Sequence, residues 1–345
     1  MKEMFTQAML QKMQDIYNYM SDERSKRLYL LRLSYNITKD SKILEALIED
    51  YISHCFSPSL HEIRQSHEKV CIYGGGECAK SLYNILLFLG IEVQCFYDRD
   101  PKKHNTDLFG KPVCPLPDHT SFPVIIAINY ITNEVYEQLV QGGIDPKQLY
   151  IFWQTEEYFD KEIISFFDKE VFVDGGCYNF ANSLCLNALC PNVEKIYAFE
   201  PNPNKKQLIE ACITRNGLEN VHFFDKGLWS EPQQLRFNIQ ENMEAASRLN
   251  NAGETVVNVV SLDEAVAGDK VTFIKLDIEG AELEALKGAR NTIQTYRPKL
   301  AICVYHKPVD IIDIPLYIKE LVPEYKLYLR HYNVSQNDTV LYAVL

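Results

Sequence analysis

The chain is short of positive charge: 35 Lys and Arg stand against 47 Asp and Glu, a formal net charge of −12 over 345 residues. Phosphate backbones select for clustered Lys and Arg, so no nucleic-acid partner is expected. An Asn-Pro-Pro-Tyr motif of the kind used in base flipping is also missing. Long apolar runs are absent. Ile85–Leu89 and Val124–Ile128 fall far short of the ~20 residues of a membrane span. Met1–Gln11 lacks a basic start leading into an apolar run, so no leader is expected there. Ten cysteines occur without one C-x-x-C pair, and no histidine stands at metal-ligand spacing, so no metal site is expected. Cys71, Cys95 and Cys303 sit inside apolar runs, where a thiol behaves as a small buried hydrophobe. These absences point to a cytoplasmic protein with reduced thiols.

What is present reads as two or three folding units, at roughly 100–200 residues each. Residues 1–67 are helix-rich: Ile16, Met20, Leu28, Leu31, Leu44, Leu47 and Ile48 recur at helical spacing. This segment is expected to pack on the next domain or, in a homo-oligomer, on a second subunit.

Residues 68–150 open with strand Lys69–Tyr73, a Gly74-Gly75-Gly76 turn, an apolar helix from Ala79, and strand Val93–Tyr97 ending in Asp98. Gly74-x-Gly76-x-x-Ala79 matches a dinucleotide-binding loop, with Asp98 near the distance for a ribose hydroxyl. A small Rossmann-like domain is expected.

From 151 to 345 the alternation restarts. Strands are read at Val171–Val173, Lys195–Phe199, Val221–Phe224, Phe273–Leu276 and Leu300–Tyr305, with helices between them. Leu235–Ile239 and Val256–Val260 look like a hairpin excursion. Tyr325–Arg330 and Thr339–Val344 are joined too briefly for a right-handed crossover, so they should pair antiparallel. The expected architecture is an α/β methyltransferase-type sheet: mostly parallel, seven strands, the last antiparallel.

A ligand in such a sheet binds outside the carboxyl ends of the strands. There the chain places Asp174-Gly175-Gly176, then Glu200-Pro201, then Asp225. S-adenosylmethionine asks for close backbone approach, an acid for its ribose and another for its adenine amino group. Asp174, Gly176, Tyr178 and Pro201 would belong to the cofactor site, Glu200 would accept from both ribose hydroxyls, and Asp225 would meet the adenine amino group. Asp277-Ile-Glu279-Gly-Ala-Glu282 follows the fourth strand, a cluster that could bind a metal, hold the methionine end or orient an acceptor hydroxyl, with Asp277 and Glu279 the residues placed for it. His306, at the end of the fifth strand, is the candidate general base, because imidazole titrates near neutrality. His331 is a second choice.

Val171-Phe-Val-Asp-Gly-Gly, Ala198-Phe-Glu-Pro-Asn, Ser261-Leu-Asp-Glu and Phe273-Ile-Lys-Leu-Asp-Ile-Glu-Gly-Ala-Glu resemble the successive signatures of the FkbM-type methyltransferases. Val304-Tyr-His-Lys-Pro and Tyr328-Leu-Arg-His-Tyr resemble one bacterial branch of that family. The resemblance implies O-methylation from S-adenosylmethionine of a hydroxyl on a sugar, glycan or secondary metabolite, and supports Asp174 and Glu200 as cofactor residues. One position departs from it: Phe180 stands where the family usually has glycine, so a phenyl ring is expected to narrow the pocket or shift the loop. The Cys71–Pro117 region is similar to small domains that hold a nucleotide-sugar on bacterial sugar-modifying enzymes. Two other functions stay open. One is an NAD-dependent oxidoreductase using the Gly74–Ala79 loop; the other is a non-catalytic nucleotide-sugar-binding protein.

Overall fold

The computed structural model describes residues 6–55, 63–116, 119–128, 132–152, 157–190, 192–238, 248–249 and 255–345. Two compact units make up the chain: Ile48–Glu156, and a second formed by Met1–Leu47 together with Glu157–Leu345. The helical stretch read above as one segment to residue 67 is therefore shared between them.

The inserted unit carries strands β1 (Lys69–Tyr73), β2 (Glu92–Tyr97), β3 (Asp107–Leu108), β4 (Lys111–Cys114), β5 (Val124–Ile126) and β6 (Leu149–Ile151). They form one sheet in the order β3-β4-β2-β1-β5-β6. All pairs are parallel except β3 with β4. Its core is its own, built on Cys71, Tyr73, Val124, Ile126 and Leu139.

The larger unit is built on β7 (Glu170–Gly175), β8 (Val193–Phe199) and β9 (Val221–Phe224), followed by short strands β10 (Gly227–Leu228), β11 (Gln233–Asn238), β12 (Arg248–Leu249) and β13 (Thr255–Val260). Then come β14 (Phe273–Leu276), β15 (Lys299–Cys303), β16 (Lys326–His331) and β17 (Thr339–Val344). Seven of these make the main sheet, in the order β16-β17-β15-β14-β7-β8-β9. Every residue of β7, β14 and β15 is buried, as strands covered on both faces require. β17 runs antiparallel between β15 and β16, which the short link at 332–338 dictates. Consequently β17 begins at the edge where its parallel neighbours end. The second sheet, β10-β13-β11-β12, contains the antiparallel pair β11–β13; Ile239, read as the end of that strand, lies outside the described residues.

Helices Gln7–Tyr19 and Glu23–Thr38 belong to this larger unit for a hydrogen-bonding reason as well as an apolar one. β16 is an edge strand, and its outward backbone groups need partners. Ser21 N donates to the Leu327 carbonyl at 2.8 Å, and Leu329 N donates to Ser25 Oγ at 2.9 Å. Arg330 meets Asp22 at 2.8 Å and Ser25 Oγ at 2.9 Å. Asp22 is also the N-cap of the second helix, accepting from Ser25 N at 2.6 Å. Ile16, Leu28 and Tyr29 complete the packing, all fully buried in the core that holds Leu327 and Leu329.

Candidate active site

Most of the loops that leave the carboxyl ends of the main sheet converge on one cavity of about 300 Å³. That volume lies at the small end of the range for small-molecule sites, ~300–1,000 Å³. Gly176 and Tyr178 after β7, Glu200 and Pro201 after β8, Leu228 and Trp229 at and after β10, and Asp277 and Glu279 after β14 all line it. Tyr305 after β15 and Asp338 just before β17 complete the wall with Glu157 and Tyr158.

The floor depends on a buried lysine. Lys275, in the middle of β14, donates to Asp174 Oδ1 at 3.1 Å and to the Gly175 and Gly176 carbonyls at 3.2 and 2.8 Å. Burial alone would lower its pKa, but Asp174 and Asp277 outweigh that and hold the ammonium charged. The other Asp174 oxygen accepts from Ser183 Oγ at 2.7 Å. Asp174 is thus buried beneath the loop and does not line the cavity. The adjacent turn demands glycine: Gly176 has φ +73°, and a Cβ there would stand 1.9 Å from the Asp277 carbonyl oxygen.

Glu200 is buried at the cavity wall, with one carboxylate oxygen accepting from Tyr178 N at 3.0 Å and the other from Asn202 N at 2.9 Å. Burial raises its pKa. Tyr178 itself is half open to solvent, with the Lys205 ammonium 4.0 Å from its ring centre. Phe180 takes the left-handed backbone, φ +69°, that its glycine-like position asks for. Its ring turns into the core, is fully buried, and is absent from the cavity wall. The expected narrowing is not seen: Phe180 holds the left-handed conformation and its side chain is buried away from the cavity wall.

Asp225 does not reach the cavity either. The turn after β9 points it outward, where it pairs with Lys206 at 2.8 Å, and that ammonium lowers its pKa. Gly227, Leu228 and Trp229 take the place expected of it.

At the other end Asp277 accepts from Tyr158 Oη at 2.9 Å and from Tyr305 Oη at 3.2 Å. Burial would raise its pKa, yet Lys275 and His306 overcome this and lower it. Glu279 lines the wall in a left-handed conformation, φ +58°. Glu282 is fully buried and turns back to accept from Ile278 N at 2.9 Å and Gly280 N at 3.3 Å, which pins this loop. The three acids of the Asp277–Glu282 run therefore have separate tasks.

His306 lies behind the wall. Its Nδ1 is 3.0 Å from Glu282, and its Nε2 is 3.4 Å from Asp277 and 3.6 Å from Glu279. These are ion-pair distances, although the ring is not aligned for hydrogen bonds. Burial works against the charge, but the three carboxylates prevail and push its pKa up to about 9. With its pKa raised the ring is held mostly protonated at neutral pH, a state that does not serve the general-base role expected of it. Asp277, Glu282 and His306 bring one ligand atom each within 4.8 Å of one another, a spacing that a metal ion can use. The carboxylates flank different ring nitrogens, which suits a protonated ring better than a metal held at one of them. His331, the second choice, is fully buried and bonds Thr339 Oγ1 at 3.0 Å.

Four acidic or phenolic groups at this end were not anticipated as site residues: Glu157, Tyr158, Tyr305 and Asp338. Burial lifts the Asp338 pKa to about 6, with Asp277 adding to the effect, although Asn333 donates to its carboxylate and works the other way. Burial also raises Glu157 well above the usual carboxylate range, reinforced by Asp338 and Asp277, and its Oε1 has no hydrogen-bond partner. Lysine within a four-residue apolar strand was a visible signal for Lys275. Asp338 gave none, since it reads as an ordinary turn residue.

In the inserted unit Gly74 has φ +115° and Gly76 caps the following helix without a side-chain bond. Ala79 is buried against the sheet. Asp98, however, is committed internally. One oxygen pairs with Lys103 at 2.8 Å and the other accepts from Asp100 N at 2.9 Å.

Residues 174–333 match the model of the methyltransferase FkbM domain. This chain carries an FkbM methyltransferase domain. Hexuronic acid methyltransferase AglP of Haloferax volcanii is 27% identical to it over 169 residues, covering 47% of this chain and 68% of that protein. Among solved structures, methyltransferase FkbM from Methylobacillus flagellatus is 20% identical, with a TM-score of 0.45 over 90% of this chain and all of its own. An rRNA methylase from Streptococcus thermophilus is 15% identical, with a TM-score of 0.34 over 51% of this chain and 86% of its own. The matched segment of the FkbM domain runs from Asp174 at the tip of β7 to Asn333 after β16. It therefore includes the cavity loops after β7, β8, β9, β14 and β15 and stops short of Asp338.

Proposed function

We propose that the FkbM domain transfers the methyl group of S-adenosylmethionine to a hydroxyl oxygen on a sugar, glycan or secondary metabolite. The observation that carries this reading is the wall of the cavity itself. At one end a glycine turn of necessity, Gly176, meets a buried Glu200 carboxylate, with Tyr178 and Pro201 beside them. Each Glu200 oxygen accepts one backbone N–H and keeps a lone pair for a ribose hydroxyl. At the other end Asp277, Tyr305 and Asp338 surround the place left for an acceptor.

When bound, S-adenosylmethionine supplies a methyl carbon whose bond to sulfur breaks, leaving its electron pair on sulfur, as the bond to the acceptor oxygen forms. The chain must supply position and a proton acceptor. Holding the acceptor in line contributes ~7–11 kcal/mol in favourable cases. Asp338 is our candidate for the base: with its pKa pushed up to about 6 it is ionised at neutral pH, yet more basic than an ordinary carboxylate. Tyr158 and Tyr305 fix the Asp277 carboxylate, so that it orients the acceptor and faces positive charge. Lys275 and Asp174 act from below, holding the glycine turn rather than touching ligand.

Calorimetric titration of S-adenosylhomocysteine into the protein and its Glu200→Ala variant tests the cofactor reading. Binding by the wild type that is lost in the variant supports it; no binding by the wild type overturns it. Asp338→Asn should retain that binding while slowing turnover by ~10²–10⁴-fold, the usual worth of a general base.

A further inference from the structure

Arg32 stands on helix Glu23–Thr38, well before the FkbM domain at 174–333, and is 2% exposed. A buried guanidinium is costly unless its donors are met, and its planar fork fixes where they must be met. Here they are met on the two segments that carry the acceptor end of the cavity. Nη1 donates to the Gln336 carbonyl and, at 3.2 Å, to Thr339 Oγ1, and Nη2 donates to the Tyr305 carbonyl at 3.3 Å. Gln336 and Thr339 flank Asp338 in the chain, and the Tyr305 hydroxyl donates to Asp277 at 3.2 Å. One side chain therefore ties the Asp338 turn to the end of β15.

Its neighbours on the helix reach the same two segments. Tyr35 Oη donates to Gln336 Oε1 at 3.0 Å, and Asn36 Nδ2 donates to the Pro308 carbonyl at 3.1 Å. Positions 32, 35 and 36 share one helix face, so the contacts come as a set. Charge is exchanged as well as contact. Burial pulls the Arg32 pKa down to about 10, while Tyr35, Tyr305 and Asp338 work the other way. The guanidinium is charged at neutral pH, and the attraction is mutual, so it favours the ionised form of Asp338. Asp338 also faces Asp277 and Glu157, which oppose its ionisation, and His306, which favours it.

We propose that Arg32 is a positioning residue for the methyl transfer: from the N-terminal helix it braces the Tyr305 and Asp338 segments against each other and gives the Asp338 carboxylate a fixed positive charge. This rests on the reading above, in which Asp338 takes the hydroxyl proton and Asp277 orients the acceptor. Arg32 touches neither cofactor nor acceptor. It acts through the Asp338 turn, and the acceptor end is to that extent built by residues that precede the FkbM domain.

The test compares the full chain with Arg32→Gln and Arg32→Lys, all free of ligand. Two backbone amides read the brace: Tyr332 N donates to the Asp338 carbonyl and Val304 N to the Thr339 carbonyl, both at 2.9 Å. In Arg32→Gln their hydrogen exchange should quicken at least about tenfold, the worth of a lost hydrogen bond to a charged group, while 174–178 and 200–202 keep their rates. The charge is read at Asp338 by carbon NMR titration of its carboxyl group, assigned with Asp338→Asn. In Arg32→Gln that titration should move from about 6 to higher pH, because the ionised form loses its attraction. Arg32→Lys keeps the charge but not the fork, so it should quicken exchange yet titrate as the wild type does. A packing role alone would not move the titration. Unchanged exchange at Tyr332 and Val304, equal quickening at 174–178 and 200–202, or an unmoved Asp338 titration overturns the inference. None of these readouts needs cofactor or acceptor, so the reading beneath falls separately, if the wild type does not bind S-adenosylhomocysteine.

Discussion

Lys275 shows how one residue can organise a site it hardly touches. Its charge is kept in the core by Asp174 and Asp277, with the Gly175 and Gly176 carbonyls accepting from it. Removing one member of a buried pair leaves the other uncompensated, which costs ~3–5 kcal/mol. Lys275→Met is therefore expected to lower stability by about that amount in urea unfolding. The Lys275→Met, Asp174→Asn double variant should recover much of the loss. No recovery would mean that the lysine acts through the Gly175 and Gly176 carbonyls instead of the aspartate. The same scale explains the fate of the residues read from sequence. Gly176, Glu200 and Asp277 were legible because a glycine or an acid at the tip of an apolar strand has few reasons to be there. Asp225 obeyed the same rule and still turned away, since nothing in the chain announces that Lys206 lies on the outer side. His306 was legible as the residue that follows the fifth core strand, but its surroundings were not, because three carboxylates meet it only after folding.

Elements carry a different kind of information. The two N-terminal helices show helical periodicity plainly, but not which surface they serve. The deciding detail is the exposed edge of β16, whose backbone is met by Ser21 and Ser25. Ser25→Ala leaves Leu329 N–H and one Arg330 donor without their buried acceptor, an expected cost of ~1–3 kcal/mol. A fall in the urea midpoint with an unchanged slope would register that cost; an unchanged midpoint would show that water replaces the serine. β17 makes a second case. Its antiparallel course followed from the short link before it, yet the consequence for Asp338 did not. Only an antiparallel strand can begin at the carboxyl edge of a parallel sheet, and that brings the turn at 336–338 to the cavity.

For the molecule as a whole, two units with separate cores imply separate responses to ligand. S-adenosylhomocysteine at a hundred times its Kd should stabilise the FkbM unit by ~2.7 kcal/mol. Hydrogen exchange is then expected to slow at 174–182, 200–202 and 277–281, while the strands of 69–151 keep their rates. Slowing in the inserted unit alone would instead favour the glycine loop at Gly74 as the ligand site. No helix among the described residues is long and apolar enough to cross a membrane.

The sequence by itself determined the alternation of strands and helices, the restart of that alternation in the second half, and the loops that carry glycine and acid at the ends of strands. Those features are local: period, turn chemistry and strand length act within a few residues. Tertiary structure alone decided which carboxylates share a wall, which of them face a lysine, and which proton His306 keeps. Charge interactions depend on distance and burial, and residues 157, 277, 306 and 338 acquire both only when the strands between them pair.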